Sequence, residues 1–194
     1  MNQIEKCHTS GAFTLIELMV VIAIIAVLMG LAFPAYQGVQ NAAKKTQAKN
    51  DLVQIVTAVN AFYTEYGKYP LPAGAAGADD YTYGDAATPN KPLMIILTGK
   101  NATDNPRGIA FLAPPIATRA NAYGVELDNA GNPTSDFNHP WSKPDFHEPY
   151  RICIDEDYDG AVRDPELPAR KIPAGVIAWS FGKNTTAPKI YSYK

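Results

Sequence analysis

GAFTLIELMVVIAIIAVLMGLAFP, residues 11–34, decides how this chain is organised. Residues 13–33 are apolar almost throughout. At about 1.5 Å rise per residue, a helix of that length covers roughly the 30 Å hydrocarbon core of a bilayer. One residue interrupts the run, Glu17. A carboxylate left unpaired there costs on the order of a few kcal/mol, so its presence requires a physical reason. A short polar leader precedes the stretch, and everything of mixed polarity follows it.

The order of these residues carries a resemblance. A short leader, a small residue, then Phe13, Thr14, Leu15, Ile16, Glu17 and a long apolar helix resemble the N-terminus of type IV prepilins and type II secretion pseudopilins. The resemblance implies cleavage before Phe13 by a prepilin peptidase, N-methylation of the new terminus, and assembly into a helical filament. Glu17 becomes the fifth residue of the processed chain, matching the family's acidic position, and Pro34 matches its helix-bending proline. The family's usual Gly before the Phe is Ala12 here, with Gly11 one place earlier. A cut after Gly11 would put Glu17 sixth; a cut after Ala12 keeps it in register, and Ala is still small. The leader is weakly basic, Lys6 being offset by Glu5.

A polymer supplies the reason for Glu17. A free N-terminal amine is cationic and would be buried with the carboxylate inside a bundle of packed helices. Pairing one subunit's Glu17 with a neighbour's Phe13 amine neutralises both charges and fixes the axial register. The alternative is that Glu17 merely reaches back to the lipid headgroups.

The remainder of the 194 residues suffices for one modest globular domain. A net charge of −2 gives no strong attraction to nucleic acid, and no nucleic-acid partner is expected. Cys7 would leave with the leader, so Cys153 remains as a single thiol without an intramolecular partner. Many type IVa pilins close a C-terminal loop with a disulfide, and the lack of one tilts the resemblance toward pseudopilins. Conventional secretory signals are cut after their apolar segment, whereas here the implied cut precedes it. The helix therefore stays with the processed protein. Lys44, Lys45 and Lys49 follow the span, and the positive-inside rule alone would place the C-terminal part in the cytoplasm. The resemblance implies the opposite: an inner-membrane single-pass protein with a periplasmic head, then a subunit of a pseudopilus or extracellular pilus.

Beyond Pro34 the apolar residues fall on one stripe, Val39, Ala42, Ala43, Leu52, Ile55, Val56, Val59, Phe62, Tyr63 and Tyr66, at helical spacing. Gly67 and Pro70 are stop signals. One long bent helix over residues 13–66 is expected. Its first part (13–35) would be membrane or filament core, and its second (36–66) the amphipathic spine of a head spanning 36–194. Tyr63, Tyr66 and Tyr69 read as packing and loop-anchoring residues. Residues 71–90 read as loop and 91–100 as a short helix with Leu93, Ile96 and Leu97 inward. Phe111 and Leu112 pack. Strands are expected at 149–155, with Tyr150, Ile152 and Ile154 on one face, at 176–181 and at 189–193. The fold class is α+β: the long helix packed against a small antiparallel sheet, which is also the pilin head the resemblance implies.

The sharpest chemical signal in the head is Asp155-Glu156-Asp157-Tyr158-Asp159-Gly160 with Glu166, a D-x-D-x-D-G-x5-E calcium-loop pattern. Asp155, Asp157, Asp159 and Glu166 would offer carboxylate oxygens and Ala161 its carbonyl, with Ca2+ as the implied cofactor. The flanking strand and Pro165 make it an EF-like loop joining two strands, and a solvated acidic turn is the alternative. Major pseudopilins carry their calcium loop after a motif that WSFGKN (179–184) resembles. Lys183 and Asn184 occupy that place here, so that site does not carry over. His139, His147, Asp136, Asp145 and Glu148 lack zinc-site spacing. No hydrolase, P-loop or dinucleotide signature is present, and the chain reads as a non-enzyme.

The expected function is a structural subunit of a type IV pilus-like filament or type II secretion pseudopilus. Its partners would be further copies of itself, a prepilin peptidase and the inner-membrane assembly machinery. The alternative is a minor pilin or membrane-anchored, calcium-dependent binding module whose ligand surface includes the Trp141 region.

Overall fold

The apolar stretch and the stripe behind it form a single helix, α1 (Leu15–Tyr66), 52 residues long. The computed structural model describes residues 13–72, 79–143, 147–183 and 187–193. The leader with Ala12 lies outside the described residues, as do Asp145, Asn184 and residues 73–78 of the expected loop. Contacts divide the chain into two units, Met1–Ala42 and Ala43–Lys194, and α1 supplies residues to both.

In the first unit the apolar side chains of α1 face outward all round, Phe13 being 82% and Leu31 72% exposed. By length and composition this helix is able to cross a membrane. Pro34 lies inside α1, which continues past it. Losing one ladder hydrogen bond there is tolerable because the turns on either side carry the helix on.

In the second unit α1 becomes one-sided. Ala48, Asp51, Leu52, Ile55, Ala58, Val59 and Phe62 are buried at three- and four-residue spacing. Val39, Ala42 and Ala43, expected on the same stripe, are exposed; packing begins only at Ala48, where the first core side chain lies. Gly67 ends the helix in the left-handed region at φ +68. The short helix α2 (Lys91–Leu97) buries Leu93, Met94, Ile96 and Leu97 and stops at Gly99, φ +77.

Opposite α1 lies an antiparallel four-stranded sheet in the order β1 (Tyr81–Tyr83), β2 (Arg151–Ile154), β5 (Val176–Ser180), β6 (Ile190–Tyr191). β3 (Val162–Arg163) and β4 (Lys171–Ile172) pair separately. The period of two sorts the side chains. Tyr150, Ile152, Ile154, Val176, Ala178 and Ile190 join the α1 core. Cys153, Ile177, Trp179 and Tyr191 join a second cluster that includes Val162. β5 is covered on both faces, which is why VIAWS reads as a near-continuous apolar run.

Three expectations need correction. β1 falls inside residues 71–90, which read as loop. β3 and β4, two residues each, were not expected. Trp141 is only 8% exposed and packs in the α1 core, so it offers no ligand surface.

Candidate functional site

Thr14 and Glu17 close the start of α1. The Glu17 Oε2 accepts hydrogen bonds from the Thr14 N–H at 2.8 Å and the Thr14 hydroxyl at 2.7 Å, while the Glu17 N–H donates to Thr14 Oγ1 at 3.3 Å. This is a reciprocal capping box, Thr at the cap and Glu three residues on. Two otherwise orphaned amides are satisfied, and the acid sits at the positive end of the helix dipole. The T-x-x-E spacing at Thr14 and Glu17 is the capping-box signal in the sequence. Phe13 is described and exposed. Glu17, Phe13, Ile16, Val20 and Val21 share one open, apolar-walled surface.

The acidic loop joins β2 to β3 and folds on its own first residue. Asp155 is 3% exposed; its Oδ1 accepts from the Asp159 N–H at 3.1 Å and its Oδ2 from the Gly160 N–H at 2.9 Å. Gly160 takes φ +84, and Tyr158 takes φ +57, a left-handed conformation that is costly for a bulky residue. Tyr158 is held by its surroundings. Its hydroxyl accepts from the Tyr69 N–H at 3.2 Å, and its ring stacks on Tyr69 at 5.4 Å, Tyr69 in turn stacking on Tyr63 at 4.6 Å.

Of the calcium-pattern residues, Asp155 and Asp157 come together, joined by Asp80 from just before β1; one oxygen of each lies within 4.8 Å of the others. Burial, then the neighbouring Asp157, pushes the Asp155 carboxyl up, and burial does the same to Asp80. Asp159 is instead paired with Lys171, which holds its carboxyl down. Glu166 lines a surface with Tyr191 and, after burial, pushes the Tyr191 hydroxyl up, and Ala161 donates its N–H to Asp159 at 2.9 Å. The four carboxylates of the EF-like set therefore do not all converge on one point among the described residues. Asp80 was missed because it lies far away in sequence and only the β1–β2 pairing, Tyr81 opposite Ile154, brings it beside Asp155.

A third polar group is structural. Asp51 is 2% exposed and accepts from the Tyr150 hydroxyl at 2.6 Å, the Gln47 amide at 2.9 Å and the Tyr123 hydroxyl at 3.2 Å. The two tyrosine bonds tie α1 to the loops ahead of β2. His139 is fully buried, its Nδ1 accepting from the Trp141 N–H at 3.1 Å, and belongs to the packing rather than to a metal set. Cys153 is buried, its thiol pushed up to about 11 by that burial, and is inert.

The family described as the prokaryotic N-terminal methylation motif matches residues 7–33. The type IV major alpha-pilin of Moraxella bovis is 33% identical over 119 residues, 59% of this chain and 73% of that protein. The fimbrial protein EcpC of Eikenella corrodens is 39% identical over 77 residues, 40% of this chain and 47% of that protein. The type IV major pilin protein PilA of Myxococcus xanthus is 42% identical over 57 residues, 29% of this chain and 26% of that protein. The chain thus spans about half of the Eikenella relative and a quarter of the Myxococcus one. No solved structure matches.

Proposed function

The chain belongs to the type IV pilin family, and on that premise we propose that it is cut between Ala12 and Phe13 by a prepilin peptidase, methylated at Phe13, and polymerised through α1 into a surface pilus. A pilin subunit is a structural protein, not an enzyme. The relatives are named as pilus and fimbrial proteins, which favours a pilus over a secretion pseudopilus. Before assembly the subunit would sit in the inner membrane with its head in the periplasm.

The observation that carries this reading is the start of α1: one carboxylate, Glu17, at the head of a helix whose apolar side chains are all exposed from Leu15 to Val39. In the filament those side chains pack against other copies of themselves, and Glu17 exchanges its Thr14 contacts for the Phe13 amine of a neighbour. An oppositely charged pair is tolerable in an apolar core where either charge alone is not. Glu17→Ala is expected to leave the chain membrane-inserted at normal abundance and to reduce sheared filaments at least tenfold. Normal filaments from that variant would remove Glu17 from assembly.

A second reading, Ca2+ in the head, is supported by Asp80, Asp155 and Asp157. Their oxygens cluster, and the buried Asp80 Oδ1 accepts no hydrogen bond. Ca2+ takes about six to eight oxygens, so these three would supply part of the shell and water the rest. Saturating Ca2+ should raise the thermal midpoint of the full chain by several degrees over chelator, and Asp80→Asn should abolish the rise. Equal midpoints with and without Ca2+ would leave the cluster a solvated acidic turn.

A further inference from the structure

The head is electrically lopsided. Around the acidic loop stand Asp79, Asp80, Asp155, Glu156, Asp157 and Asp159, against which Arg163 and Lys171 pair with Asp79 and Asp159 alone. Asp157 is exposed, and at the crest beside it Tyr158 is 50% exposed, its ring 6.4 Å from that of Tyr63 near the end of α1. At the other end of the head's share of α1, Lys45, Lys49 and Lys189 line a cavity of about 500 Å³ with Pro188, Ile190, Tyr191 and one carboxylate, Glu166. Lys49 donates to the Tyr191 carbonyl at 2.5 Å, and Lys189 lies over the Phe181 ring at 5.4 Å. No ion pair among the described residues involves Lys45 or Lys189. Along α1 the two regions, at Lys45 and Tyr63, are about 27 Å apart.

We propose that these two patches are the halves of one interface between copies of this chain: the crest at Asp157 and Tyr158 of one subunit enters the lysine-lined cavity of another, Asp157 facing Lys45 and Lys189. The inference rests on the filament reading above. The two patches differ in sign and lie apart on the same head, so a subunit whose cavity takes one neighbour's crest has its own crest free for a third copy, which makes the proposed contact heterologous. A contact of that kind generates an open filament wherever its rotation does not close a ring. Crest against crest or cavity against cavity is repulsive, which disfavours pairs that join like patches. Tyr158 serves as the knob, its exposed ring meeting the apolar part of the cavity wall at Pro188 and Ile190. Each exposed ion pair is weak, but the contact repeats at every subunit.

The test is a charge exchange in the full chain, expressed in the native cells and assayed in chelator so that a divalent ion at the crest does not alter its charge. Asp157→Lys and Lys45→Asp should each reduce sheared filaments at least tenfold with the membrane pool unchanged. The two together should restore them to within about threefold of the parent. A second measurement does not depend on charge: in filaments carrying both Asp157→Cys and Lys45→Cys, oxidation should give a ladder of linked subunits, and either substitution alone should not. Full yields from both single reversals, or filaments that never cross-link, would overturn the interface while leaving the pilin reading intact. Loss of filaments without rescue, accompanied by loss of Lys45-dependent flotation on anionic vesicles, would assign the lysines to lipid headgroups and overturn it too. An unsubstituted chain that forms no filament would instead strike the premise.

Discussion

Asp51 is a buried acid that ties α1 to the rest of the head. Its three donors are neutral, and burial raises its carboxyl above the ordinary range despite them. A raised value in the folded state means that folding favours the protonated form. The stability this contributes is fully present below the ordinary carboxylate range and is lost as pH rises through the raised value. Over about pH 4 to 7 the unfolding free energy should therefore fall more steeply for the parent than for Asp51→Asn, in denaturant titrations of the detergent-solubilised chain. Asp51→Ala should do worse than Asp51→Asn, because it strands the Tyr150 and Tyr123 hydroxyls; a loss of about 1–3 kcal/mol is expected. An unchanged midpoint for the alanine variant would mean that water replaces the carboxylate. In the sequence Asp51 reads as one more polar residue in the KTQAKND run. Only the fold shows it turned inward, since its neighbours in the buried row are Ala48 and Leu52.

At the scale of elements, legibility follows periodicity. α1 was readable because its spacing stays helical over dozens of residues, β2 because its apolar alternation spans four residues, and β5 because its near-continuous apolar run spans five. β1 was not readable. Its three residues, Tyr-Thr-Tyr, lie among Ala, Gly and Asp, and the strand exists because β2 offers a free edge. The calcium pattern was only partly gathered for a related reason: a D-x-D-x-D-G-x5-E spacing assumes a loop free to wrap one ion, whereas Glu166 belongs to the β3–β4 hairpin and lines a surface with Tyr191. The glycine after β1 is a sharp test of how tightly these strands close. Gly84 has φ +99, and a Cβ there would stand 2.1 Å from the Tyr150 carbonyl oxygen. Gly84→Ala should cost about 2 kcal/mol or more, read as a lower denaturant midpoint with the slope unchanged. A variant as stable as the parent would show that the β1–β2 approach can relax.

At the scale of the molecule, the two units divide the work. The first presents an apolar helix with a single carboxylate at its head; the second presents a packed head with acidic and basic regions. The capping box gives Glu17 hydrogen-bond partners within its own chain, so on the proposed reading a subunit in the membrane would keep the acid bonded before assembly. Processing would then create the amine that competes for it. The central claim is that this chain is a processed pilin, and the intact mass of the subunit recovered from sheared surface filaments tests it most directly. The account predicts a chain beginning at Phe13 and carrying one added methyl group. A mass that retains residues 1–12, or filaments that do not contain the chain, would contradict it.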